Sequence, residues 1–135
     1  MARLDMRKNY SVLLLLIIIS YPVASKTVVS CEAVASWGDH DSLDYKLQQK
    51  IFPTIIIEED SKNITYVYSQ FDRKWEQEYK ITHQNDNNLV GYAKKSANTI
   101  HLIHYEITTG NFNIFFSGGD YVDFGNTITT GRCFK

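Results

Sequence analysis

With 135 residues, 14 basic and 15 acidic side chains and a net charge of −1, the chain has room for one domain. It holds no basic stripe and no charged tail, so electrostatics excludes nucleic acid as a partner and favours no other class. Aromatic residues make up 13% of the chain, nine of them tyrosines, and there are two cysteines.

Arg3, Arg7 and Lys8 form a basic start, residues 12–19 are an unbroken apolar run, and Ser20, Tyr21 and Pro22 break it before small residues at Val23, Ala24 and Ser25. This is the layout of a secretory signal peptide cleaved after Ser25. The run is far short of the roughly 20 apolar residues that span a bilayer. Residues 1–25 are therefore expected to be a leader, and 26–135 a single exported domain, periplasmic or extracellular, without a membrane span. Without Arg3, Arg7, Lys8 and Asp5, that domain keeps 11 basic and 14 acidic residues.

Residues 26–37 alternate through Cys31, Ala33, Ala35 and Trp37 and read as the first strand. Residues 38–50 are polar, with Asp39, His40, Asp41 and Asp44 crowded together. There Leu43, Leu47 and Ile51 at helical spacing, with Ser42 as a possible N-cap, allow a short helix; an irregular loop is equally compatible. Pro53 restarts the chain, and residues 54–59 and 64–70 are β-rich runs around the turn residues 60–63. Trp75, Tyr79 and Ile81 alternate with Glu76, Glu78 and Lys80, which predicts another strand. A polar loop at 84–88 leads to a short strand at 89–93, where Gly91 implies a bulge or bend.

Residues 98–116 carry two alternating runs around Thr109 and Gly110, the clearest hairpin in the chain. A turn there places Ile107 opposite Phe112, Tyr105 opposite Ile114 and Ile103 opposite Phe116, six large side chains on one face. The other face mixes Ile100, Leu102, His104 and Glu106 with Asn111, Asn113 and Phe115. Residues 121–124 form a short expected strand, and 127–134 the last one.

Cys31 near the start and Cys133 near the end of an exported domain are expected to form one disulfide. Val28, Val29, Ser30 and Cys31 also loosely match a bacterial lipobox. Lipidation would strand Cys133 as a lone thiol, so pairing is the expected outcome. Bonding brings the ends together, and short polar connections favour neighbouring antiparallel strands. The expected fold is thus all-β, a small antiparallel up-and-down barrel of about seven or eight strands, with a two-sheet β-sandwich as the alternative.

Chemistry-bearing motifs are sparse. His101 and His104 lie three apart on a strand and point to opposite faces, which argues against a shared metal. The acidic stretch at Asp39 to Asp44 could hold a cation, but solvated acidic loops are far commoner. No nucleophile elbow, zinc-protease or EF-hand spacing occurs, so no catalytic residue, metal or cofactor is expected. Asn63, Ile64 and Thr65 match a glycosylation acceptor, relevant only in a eukaryotic source. The expected role is a binding or interaction module for an unknown protein or a small apolar ligand.

The layout resembles small exported bacterial β-proteins: a signal peptide, an early cysteine, a Thr-Thr-Gly-Asn-Phe hairpin and a closing Gly-Arg-Cys. It is also similar to the C-type lysozyme inhibitor family, small periplasmic barrels with a terminal-to-terminal disulfide. That family's Ser-Gly-x-x-Tyr motif falls on Ser117, Gly118, Gly119, Asp120 and Tyr121, and the resemblance implies a loop that enters a target's cleft. The chain departs from the family in having no Lys-Gly between Tyr121 and Cys133. Lipocalins match less well, because Trp37-Gly38 replaces their Gly-x-Trp start.

Overall fold

The structure, a computed structural model, describes residues 25–38, 45–70, 72–93, 99–118 and 126–135. Residues 1–24 of the expected leader, the acidic stretch Asp39, His40, Asp41 and Asp44, and the expected strand at 121–124 lie outside the described residues.

Nine strands form one sheet: β1 (Lys26–Gly38), β2 (Tyr45–Ile51), β3 (Thr54–Glu58), β4 (Asn63–Gln70), β5 (Arg73–Gln84), β6 (Asn88–Ala93), β7 (Thr99–Glu106), β8 (Asn111–Gly118) and β9 (Asn126–Phe134). From β3 onward each strand pairs antiparallel with the next, and β9 returns to pair with β1. The result is a closed eight-stranded antiparallel barrel, not a sandwich, with β2 as an extra strand. Closure of β9 onto β1 gives the ring no terminal strand, which reduces the aggregation liability of an open sheet.

β1 is long enough to serve three partners. Along one flank it pairs with β9; along the other its lower half pairs with β3 and its upper half with β2. Of the stretch 38–50, residues 45–50 are strand and not helix: they belong to β2, with Lys50 opposite Val34 and Leu47 opposite Trp37, while Ser42 and Leu43 lie outside the described residues. The spacing of Leu47 and Ile51 fits a period of four as well as a period of two, and pairing with β1 decides between them. Propensity is weak beside such non-local contacts.

Cys31 and Cys133 are bonded, as expected, and both are buried. The Cys31 N–H donates to Pro53 O and the Cys133 N–H donates to Gly110 O, so both main chains turn away from each other. That makes them a non-hydrogen-bonded pair, the kind in which opposed side chains come closest. Lipidation of Cys31 is incompatible with this bond.

The central hairpin has its two faces as read, but its register differs. Ile103 lies opposite Ile114, Tyr105 opposite Phe112, and His101, not Ile103, opposite Phe116. The turn occupies residues 107–110, where the Gly110 N–H donates to Glu106 O at 2.8 Å and Gly110 adopts a φ of 76°. A shift of two residues leaves every side chain on its original face.

Inward positions build the core. Ile55, Ile64, Tyr79, Ile103, Tyr105 and Phe112 are almost fully buried, with Val29, Ile57, Tyr66, Leu89 and Ile114 around them. Gly91 faces inward on β6, directly opposite Ile81 and Ile103. The expected irregularity lies across from it, as a bulge at Thr82 in β5.

Candidate functional site: an uncharged band on the outer wall

Barrel closure brings outward positions of distant strands into rows. One row reads Tyr92, Leu102, Phe115 and Ile128, successive cross-strand partners on β6, β7, β8 and β9. Ile100 lies one position higher on the same wall, opposite Ser117. Leu102 is 38% exposed, Phe115 37% and Ile100 47%. None of these side chains carries a charge. The row ends at β5, the next strand round, where Lys80 is the cross-strand partner of Tyr92 and Lys74, Glu76 and Glu78 follow along the strand.

Below the band the wall becomes polar. His104 lies opposite Val90 and Asn113, and its Nε2 sits 2.8 Å from Asn88 Oδ1. Lower still, Glu106 organises the turns. Its carboxylate accepts from Thr109 Oγ1 at 2.6 Å, from Asn87 Nδ2 at 3.3 Å and from Asn111 Nδ2 at 3.5 Å. These bonds, that from Thr109 first and Asn87 next, hold the Glu106 carboxyl below the usual carboxylate range. Asn87 also accepts from the hydroxyl and the N–H of Thr108. The network ties two neighbouring hairpins together and leaves the band above it undistorted.

The barrel interior is occupied by its own side chains. Burial pushes the phenol pKa of Tyr66 and Tyr79 far up, and raises those of Tyr68 and Tyr105. At Tyr66 the neighbouring phenols Tyr68 and Tyr79 add to the effect and Thr129 opposes it. The Tyr66 hydroxyl nevertheless closes no hydrogen bond within 3.5 Å, nor does Gln77 Oε1 on the paired position of β5. Among the described residues the barrel wall carries shallow concavities. One of about 220 Å³ opens where β2 and β4 part, and one of about 170 Å³ lies at the lower mouth among Thr27, Ile57, Leu89 and Tyr105. Both fall below the roughly 300–1,000 Å³ of ordinary small-molecule pockets.

His101 turns inward, its ring 4.2 Å from that of Phe116 and 6.4 Å from that of Tyr79, while His104 turns outward. The structure therefore keeps the two histidines apart. Among the described residues no three His, Cys, Asp or Glu side chains gather as a metal site, and no helix is long and apolar enough to cross a membrane.

Of the motif at Ser117, Gly118, Gly119, Asp120 and Tyr121, the first two residues end β8 at the upper rim, and the other three lie outside the described residues. Ser117 pairs with Ile100 and Asn126, so the motif begins at the upper border of the uncharged band. Ile100, Leu102 and Phe115 are legible from the hairpin alone. Tyr92 and Ile128 are not, because their place in the row depends on which strands flank the hairpin. The available signal is an apolar residue at an outward position of a strand whose inward face is already apolar.

A search against protein-family models returns no match, and a search of curated proteins finds no chain similar to this one.

Proposed function

We propose that this chain is an exported, non-enzymatic binding module that recognises a protein partner through the outer band of β6 to β9. The observation that carries this reading is the uncharged row Tyr92, Leu102, Phe115 and Ile128 on the outer wall, with Leu102 and Phe115 exposed and Tyr92 and Ile128 half-buried, beside a core built from other residues. Contiguous exposed apolar surface costs solubility and marks interaction sites in soluble domains. A filled interior speaks against a carrier of an apolar ligand, which needs an empty one. The buried disulfide fits an oxidising compartment and so supports export.

The test is capture of partners from the exported fraction with the wild-type domain and with Leu102→Lys. The substitution sits at an exposed position and should change stability by no more than about 0.5 kcal/mol. A partner held by wild type and lost with Leu102→Lys is the expected result; equal capture by both proteins rules the band out.

A second reading, lysozyme inhibition, is favoured by the disulfide joining the first and last strands and by Ser117 and Gly118 at the open upper rim. It requires C-type lysozyme to lose activity in the presence of the purified domain. Full lysozyme activity at micromolar excess removes it.

A further inference from the structure

The inward face of the barrel changes character from one end to the other. Its lower and middle levels are apolar and sealed, whereas the upper level carries hydroxyls, an amide and large rings. Thr99 and Thr129, the buried polar residues among the described ones, both belong to that upper level. Two arcs of cross-strand partners face each other there. Trp37, Thr127 and Phe116 form one, on β1, β9 and β8; Tyr68 with Trp75 and Tyr66 with Gln77 form the other, on β4 and β5. All share a strand face with buried core residues. Even so, Trp37, Tyr68, Gln77, Phe116 and Thr127 are only half-buried, and Trp75 is 51% exposed. Inward positions that keep contact with solvent define an open mouth.

The floor of this mouth holds two polar atoms with complementary needs. Tyr66 reaches across the barrel until its ring centroid lies 6.2 Å from that of Phe112 on β8. Its hydroxyl is buried and closes no hydrogen bond within 3.5 Å, meeting Thr129 only weakly. At the paired position of β5, Gln77 donates its Nε2 to Glu78 O at 2.7 Å, which leaves the buried Oε1 unmet. That oxygen can only accept, whereas a phenol can donate or accept. A hydroxyl serves both, donating to Gln77 and accepting from Tyr66. A carboxylate or phosphate has no proton to donate, and an ammonium has no lone pair with which to accept. Charge agrees with this choice. Among the described residues no Lys, Arg, Asp or Glu lies on these two arcs, and the first charge along the inward line of β5 is Arg73, one alternation above Trp75 at the rim.

We propose that the upper mouth is a binding site for a neutral saccharide, which sets a hydroxyl between Tyr66 and Gln77 and a ring face against Trp75. Sugars offer C–H faces to aromatic rings and hydroxyls to uncharged hydrogen-bonding groups, the two kinds of surface that this mouth combines. Tyr68 stacks on Trp75 with ring centroids 6.2 Å apart and planes 13° from parallel, so the indole is held as a fixed platform. A purely apolar ligand is a poor occupant, because it would bury Gln77 Oε1 and the Tyr66 hydroxyl without meeting either. The mouth lies inside the ring of strands, away from the outer band, and stands or falls independently of it.

Both tryptophans of the chain, Trp37 and Trp75, stand at this mouth, so their fluorescence reports on it. The experiment titrates the whole domain with glucose, galactose and N-acetylglucosamine, following tryptophan emission and amide NMR shifts. Glucuronate and glucosamine, which place a charge on the same ring, serve as comparators. At least one neutral sugar should saturate both signals at millimolar concentration, with shifts concentrated at residues 66–68, 75–77 and 127, and the charged sugars should bind more weakly. Gln77→Leu keeps the side-chain volume but removes Oε1. It should lower affinity about tenfold while the thermal midpoint stays the same or rises. Trp75→Ala changes an exposed position, so it keeps the test available even if the leucine variant fails to fold; the shifts at residues 66–68 should then disappear. No saturable change with any neutral sugar, equal or tighter binding of the charged ones, shifts centred on Leu102 and Phe115, or unaltered affinity in Gln77→Leu would each overturn the site.

Discussion

Gly91 is the position at which a single atom matters most. A Cβ built there would lie 2.8 Å from Tyr79 Cβ and 2.9 Å from Ile103 Cγ2, and both of those side chains are almost fully buried. Neither neighbour is the free end of a flexible chain, so relief requires β5 and β7 to spread around β6. Overpacking of this kind costs about 1–3 kcal/mol. Gly91→Ala should therefore lower stability by that amount in chemical denaturation, even though alanine suits a strand better than glycine does. An unchanged or raised midpoint would mean that the Tyr79–Ile103 contact is looser than described. The same crowding explains why this strand is readable only in part from sequence. Glycine in a strand signals either a bulge or a close approach. Here the close approach belongs to Gly91 and the bulge to Thr82 across from it, a division that no single strand records.

At the scale of elements, the β7–β8 hairpin separates what alternation determines from what it leaves open. Period-two patterning assigns Ile103, Tyr105, Phe112, Ile114 and Phe116 to one face, and they share it. Which residue sits across from which depends on the turn, where Gly110 in a left-handed conformation and the side chains of Glu106 and Thr109 choose residues 107–110. Several turns close the same two runs with the faces unchanged, so composition leaves the register open by steps of two. β2 was less legible for a different reason: its apolar positions satisfy two periods, and only β1 beside it selects the strand. The outer band and the upper mouth share that limit, since both consist of neighbours set by closure. The faces themselves are testable by truncation. Ile114→Ala removes a buried branched side chain and should cost about 2–5 kcal/mol, whereas Asn113→Ala on the outer face should cost well under about 1 kcal/mol. Equal losses in urea unfolding would show that the two faces are misassigned.

For the whole molecule, closure of β9 onto β1 decides the response to alkali. It seals Tyr66, Tyr79, Tyr105 and part of Tyr68 inside, and burial raises all four phenol pKa values above the ordinary value of about 10. A raised folded pKa means that the neutral form is the one the fold favours. Below about pH 10 these phenols are neutral in both states, and their contribution to stability is fully present. Above it the unfolded chain releases their protons and the folded barrel does not, so stability falls steadily as pH rises towards the folded values. Tyrosinate absorbance should then appear in a late cooperative step that coincides with loss of the β-sheet circular dichroism signal. Tyr66→Phe sharpens the test. The Tyr66 hydroxyl closes no hydrogen bond within 3.5 Å and meets the buried Thr129 hydroxyl only weakly, so removing it should cost little at neutral pH. It also deletes one of the protons whose release drives alkaline unfolding, which should move the midpoint to higher pH. Smooth titration of every tyrosine near pH 10 with the fold intact would contradict this, because it would require water to reach the phenols through an open barrel.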